Sequence, residues 1–119
     1  MHQYKELKLW QKSIDLVTRI YALTRDFPQN EKFGLVSQIN RSALSIPSNI
    51  AEGAVRNSNK EFVHFLTIGH ASSFELETQL IISKNLNYIS LEYLNEFTVR
   101  IIELQKMNYA IQSKLKVTI

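Results

Sequence analysis

Apolar residues recur every three to four positions along most of the chain, and this helical rhythm is interrupted at only three places. Strict alternation never persists beyond a few residues, so no strand is expected. Four helices follow. The first is expected from about Lys5 to Asp26, with Leu9, Ile14, Leu16, Val17, Ile20, Tyr21 and Leu23 among its apolar positions. Phe27-Pro28 ends it, because the residue before a proline disfavours helical geometry. The second is expected from about Lys32 to Asn57, the third from about Asn59 to Leu86 and the fourth from about Leu91 to Lys116. Ser58-Asn59-Lys60-Glu61 has the form of a capping box, in which Ser58 and Glu61 each satisfy a free backbone donor. Ser90 with Glu92 opens the fourth helix in a similar way.

Helix two is amphipathic yet carries a proline at its centre. Ile39, Ala43, Ile46, Ile50 and Ala54 share one side, and Arg41, Ser45, Ser48, Asn49, Glu52 and Arg56 gather on the other. Pro47 has no amide hydrogen for the Ala43 carbonyl and its ring crowds that oxygen, at a cost of roughly 3 kcal/mol. A bend or a freed backbone acceptor is therefore expected, with Ser42 and Ser45 placed to bond loosened backbone groups. Gly53 reads as a close-packing or a backbone-permissive position near the end of helix two. On helix three, Phe62, Phe65, Leu66, Gly69, Ser73, Leu76 and Leu80 form one seam. Gly69 and Ser73 make a dip in it, a place for aromatic rings from another helix. Helix four presents Leu94, Phe97, Ile101, Leu104, Ile111 and Leu115 on one face, interrupted by Asn108. Long helices and short turns predict an all-α, antiparallel up-down-up-down four-helix bundle with a proline kink in helix two, as a single domain over 1–119.

Composition agrees with a domain of this kind. At 119 residues the chain suffices for one core, and its 45% hydrophobic and 21% charged residues argue against disorder. Three glycines and two prolines leave few turns. The absence of cysteine excludes disulfides and thiolate chemistry and fits a reducing compartment. The first residues contain no uninterrupted apolar run, so neither a signal peptide nor a membrane span is expected, and a cytoplasmic protein is.

Candidate catalytic patterns are weak. A dimetal bundle needs two Glu-x-x-His pairs plus two further glutamates, and only Glu61-x-x-His64 is present, in the first turn of helix three where Glu61 serves as a cap. His2 lies in a terminus expected to fray. His70 and Glu77 can share a polar patch, but no nucleophile joins them by spacing. Glu75 and Glu77 point about 160° apart on a helix and cannot act as a dyad. They are expected instead to pair with Arg41 or Arg56, across the bundle or across a subunit boundary. Phosphate loops and dinucleotide fingerprints are absent, so no enzyme, cofactor or metal site is expected.

The net charge of +3 permits nucleic-acid contact without requiring it. Its distribution is more informative. Lys5, Lys8, Lys12 and Arg19 fall within about 60° of arc on helix one, a stripe suited to phosphates, offset in part by Asp15 and Asp26. Arg41, Arg56 and Lys60 extend the candidate nucleic-acid-binding set. Tyr4, Trp10, Tyr88, Tyr93 and Tyr109 are amphipathic side chains of the kind enriched at interfaces, and equally at home packed within a bundle.

One segment also carries a resemblance. Ser45-Ile46-Pro47-Ser48-Asn49-Ile50-Ala51-Glu52-Gly53 followed by Arg56 resembles the signature of the small four-helix-bundle proteins encoded by intervening sequences in bacterial 23S ribosomal RNA genes. The likeness continues through Leu9-Trp10, Phe27-Pro28, Glu31-x-Phe33-Gly34-Leu35, Gln38-x-x-Arg41, Phe62, Phe65 and Ser73-x-Glu75-x-Glu77. It implies a cytoplasmic, non-enzymatic homopentamer, with relatives that include the accessory protein of diversity-generating retroelements, a partner of a reverse transcriptase and nucleic acid. Five copies around an axis would turn a modest stripe into a basic belt. The expectation is a homo-oligomeric accessory protein that contacts RNA or DNA backbone through basic helix faces. The alternative is a scaffold for a protein such as a reverse transcriptase, recognised by the polar face of helix two without direct nucleic-acid contact.

Overall fold

A computed structural model describes residues 2–118. Among the described residues there are four α-helices, α1 (Lys8–Thr24), α2 (Leu35–Ala54), α3 (Asn59–Asn85) and α4 (Leu91–Val117), and no strand. Two short 3₁₀ turns, Tyr4–Glu6 and Gln29–Glu31, precede α1 and α2. The molecule measures 46 × 23 × 20 Å. A 27-residue helix such as α3 spans about 40 Å, so helix length sets the long axis.

Each helix contributes one apolar stripe to a shared core. Leu9, Leu16 and Ile20 of α1 meet Ile39, Ala43, Ile46 and Ile50 of α2, Leu66, Leu76 and Leu80 of α3, and Ile101 and Leu104 of α4, all nearly without solvent exposure. Ile14 and Tyr21, apolar by pattern, stand at the edge of the α1 stripe and remain exposed. Neighbouring helices meet with residue numbers running in opposite order. Ser42 contacts Glu75 while Ser45 contacts Ser72 across α2 and α3. Gln105 contacts Ser73 and Gln112 contacts Thr67 across α3 and α4, and Lys12 contacts Glu103 while Asp15 contacts Arg100 across α1 and α4.

Helix ends follow local chemistry, with some departures from the sequence reading. Ser58 Oγ accepts the Glu61 amide and Ser90 Oγ accepts the Tyr93 amide, each 3.1 Å away, so the serine half of each cap forms as the sequence reads, while among the described residues the Glu61 carboxylate makes no return bond to the Ser58 amide. Helix one does not begin at Lys5. Leu7 is extended, which lets the preceding turn fold back. The His2 amide then donates to the Ala54 carbonyl at 2.6 Å, and the Tyr4 ring meets Trp10 edge-on at 5.3 Å. His2 is thereby docked rather than frayed. Helix two starts at Leu35, not Lys32, because Gln29–Glu31 forms its own turn and the Glu31 carboxylate accepts the Leu35 amide at 3.2 Å.

α2 and α3 approach each other closely along their seam. A Cβ placed on Gly69 would lie 3.4 Å from the Ile46 carbonyl oxygen, so α2 backbone occupies the dip that the sequence assigned to aromatic rings. Gly53 is tighter still, since a Cβ there would sit 2.7 Å from Phe65 Cβ and 3.2 Å from the Phe62 carbonyl. α2 continues through the buried Pro47. The hydroxyls of Ser42 and Ser45 reach Gln38 and Ser72, not the Ala43 carbonyl that Pro47 cannot serve. Asn108 is buried within α4, its amide donating to the Leu66 carbonyl at 3.0 Å while its oxygen accepts from Gln112 at 2.6 Å. The interruption in the apolar face is thus a satisfied polar link between α3 and α4.

Candidate nucleic-acid interface

The start of α1, the end of α2, the start of α3 and the end of α4 converge at one end of the molecule. His2 bonds Ala54 and stacks against Phe62 at 5.0 Å, while the Asn59 amide reaches Thr118 Oγ1 at 2.5 Å. This convergence gathers Lys5, Lys8, Arg56, Lys60, Lys114 and Lys116 around three carboxylates, Glu6, Glu52 and Glu61. The excess at this end equals the +3 of the whole chain. Charge elsewhere therefore balances, and the bundle is electrically lopsided.

The expected stripe on α1 is divided by its partners. Lys12 Nζ lies 2.8 Å from Glu103 of α4, and Arg19 Nε donates to Asp15 at 2.9 Å. Both cations are half-exposed, and each shares its charge with a carboxylate of the fold. Lys5 and Lys8 form no ion pair among the described residues, and both are exposed. Arg56 pairs with Glu52 at 2.5 Å, and its guanidinium lies 4.8 Å from the Phe65 ring centre while its Nε is buried without a partner. Lys60 stands one turn from His64 beside the same ring, and Lys5 Nζ sits 5.9 Å from the Tyr4 ring. Arg41 is exposed but remote, about 22 Å along α2 from Arg56.

The expected pairing of Glu75 or Glu77 with Arg41 or Arg56 does not form among the described residues. Glu75 instead accepts the Ser42 hydroxyl at 2.7 Å, and Arg56 is held by Glu52 one turn away. Position decides this, because Arg56 sits near the start of α3 while Glu75 lies beside Ser42, in the middle of the seam. Lys114 and Lys116 were missed by sequence reasoning. The available signal was their place in the last turn of the fourth helix, whose end lies beside the start of the third through the Asn59–Thr118 contact.

Chemistry of other kinds has little to build on. Among the described residues no group of three histidines, aspartates or glutamates is arranged to hold a metal ion. His64 packs edge-on against Phe65 at 5.3 Å. His70 lies against Phe74 with its Nδ1 buried and unpartnered, and burial lowers its pKa below the ordinary histidine value. No described helix is long and apolar enough to cross a membrane.

Fold and charge together define an all-α four-helix domain with one cationic end. The 23S rRNA-intervening sequence protein family matches residues 5–110, and the chain belongs to that family. The fold is also similar to a crystal structure of a protein with unknown function from the S23 ribosomal protein family of Bacteroides thetaiotaomicron VPI-5482. That likeness has a TM-score of 0.82 and 27% sequence identity, and covers 88% of this chain and 95% of that one. No curated protein matches the chain.

Proposed function

We propose that this chain is a non-enzymatic, nucleic-acid-associated accessory protein that holds RNA or DNA backbone against the basic end of its bundle. The gathering of Lys5, Lys8, Arg56, Lys60, Lys114 and Lys116 from four separate helix ends carries the reading. Lysines without an ion pair among the described residues exchange condensed counterions for phosphate contacts, which gives affinity without sequence readout. Arg41 and the paired Lys12 and Arg19 of the original set are secondary in this reading. The topology we adopt is the up-down-up-down bundle with a bend at Pro47. A homo-oligomer, pentameric if it follows the resemblance, repeats the basic end and raises affinity by multivalency. Exposed Phe74, Ile81, Ile82 and Val99 on α3 and α4 support association of copies. The assignment to the cytoplasm belongs to the same proposal.

Fluorescence anisotropy of labelled structured RNA and duplex DNA, titrated across salt concentrations, tests it. Lys8→Glu with Lys60→Glu is expected to abolish most binding and to flatten the slope of log affinity against log salt by about one per lysine. Lys12→Glu is expected to matter far less, since that charge is already matched by Glu103. No binding at low salt would overturn the reading and leave a scaffold for a protein partner, such as a reverse transcriptase, as the better account.

A further inference from the structure

At the opposite end of the molecule, the end of α1 and the beginning of α4 border a half-open cavity of about 270 Å³. At ~30 Å³ for each water-sized group, it holds roughly nine non-hydrogen atoms. Its aromatic lining is Tyr88, Tyr93 and Phe97, and its acidic groups are Asp26 and Glu96. Arg19 is the single cation in the lining.

The walls are held from several sides. α3 ends in a Schellman motif, in which the Tyr88 amide donates to the Ser83 carbonyl and the Asn87 amide to the Lys84 carbonyl, both at 2.9 Å. Asn87 takes the positive φ of 63° that this motif requires. Tyr88 is further fixed by its hydroxyl, which donates to Glu31 at 2.9 Å, and by its ring, 5.4 Å from buried Phe27. Phe97 is itself buried, whereas Tyr93 is half-exposed and forms the open side.

Charge selects the occupant. Arg19 is committed to Asp15 at 2.9 Å. Asp26 forms no ion pair among the described residues, and Glu96 is held only loosely by Arg100, at 4.0 Å, because Arg100 lies closer to Asp15 at 3.2 Å. The cavity thus combines aromatic side chains with two carboxylates of spare capacity. Anions and neutral polar groups gain little there. An alkyl chain ending in a flat cation gains from both components, by stacking on the rings and by hydrogen bonding to a carboxylate. We infer that this cavity is a binding site for an alkylguanidinium or alkylammonium group, at the end of the bundle opposite the basic one. That group arrives either on a free small molecule or on a basic side chain of a peptide.

Butylguanidinium and its uncharged isostere butylurea, titrated into the full chain and followed by tyrosine fluorescence and NMR of the Ile89 methyl groups, test the inference. Saturable binding of the cation, about tenfold tighter than the urea, is expected, together with a loss of about fivefold in Glu96→Gln and in Tyr93→Ala. Both positions are solvent-exposed, and circular dichroism checks that the variants keep their helices. Equal affinity for the two isosteres overturns the inference, as does absence of saturation up to about 10 mM, ten times a millimolar Kd. A blocked Gly-Arg-Gly peptide run alongside separates the sources. Binding as tight as the free cation indicates a peptide side chain, and exclusion indicates a small molecule.

Discussion

The seam between α2 and α3 and the seam between α1 and α4 are built on opposite principles. Across the first, backbone approaches side chain directly, with Gly53 against Phe62 and Phe65 and Gly69 against the Ile46 carbonyl. Across the second, Lys12 reaches Glu103 and Arg100 reaches Asp15 through long, half-exposed side chains. Close packing loses energy steeply when a single atom is added, whereas solvated ion pairs contribute roughly 0–1 kcal/mol each and tolerate change. Stability should therefore concentrate on the α2–α3 side. The two candidate binding regions lie at the two ends of α1, the helix with the looser neighbour, where surface chemistry can vary without unpacking the core.

The glycines give the largest test of this contrast. Gly53→Ala should destabilise by up to about 2 kcal/mol, because overpacking of roughly 1–3 kcal/mol is offset by only about 1 kcal/mol from replacing glycine in a helix. The added carbon would stand 2.7 Å from Phe65 Cβ, which is anchored to the backbone and cannot swing away. Gly69→Ala meets only ordinary contact at 3.4 Å and should be neutral or stabilising by up to about 1 kcal/mol. Thermal melts of both variants beside the parent chain decide the matter. Equal losses at the two sites would mean that the seam is uniformly tight.

His70, next to Gly69 on α3, gives a smaller, pH-dependent test. Burial lowers its pKa in the folded state, so the unfolded chain binds the proton more readily. The associated stability is fully present above the unfolded value of about 6.5 and is lost as the pH falls through it toward the lowered folded value. His70→Gln should flatten the dependence of Tm on pH between about 7.5 and 5. An unchanged profile would show that other groups govern acid sensitivity, and that the unpartnered Nδ1 carries no cost.

How far the sequence revealed these features depends on whether their cause is local. Ser58, Ser90 and Phe27-Pro28 marked helix ends because caps and proline sterics act within a few residues. The break at Leu7 was not legible, since the segment before it is anchored at His2 by Ala54 and Phe62, partners more than fifty residues away. The α1 stripe was legible as spacing, but its division was not. Nothing in the order of Lys5, Lys8, Lys12 and Arg19 reveals that Glu103 of another helix stands opposite Lys12. The same limit hid Lys114 and Lys116, whose importance depends on which helix ends share one end of the bundle. Tyr88 and Tyr93 stood out as amphipathic, yet the cavity they line exists only once the α3–α4 turn has folded.

Asp15 offers the smallest effect and the finest discrimination. Its carboxylate holds Arg19 at 2.9 Å and Arg100 at 3.2 Å, so Asp15→Asn removes the centre of the α1–α4 charge network in one step. Because these side chains are half-exposed, the expected loss is below about 1 kcal/mol and should vanish near 1 M salt, where screening acts within about 3 Å. A loss matching that of Gly53→Ala would erase the distinction between the two seams. The same substitution also bears on the aromatic cavity. Arg19, released from Asp15, is free to turn toward Asp26 and Glu96 and occupy the place of an external cation. Asp15→Asn should therefore weaken butylguanidinium binding while leaving the fold nearly as stable as before, a separation of effects that simple loosening of the bundle would not produce.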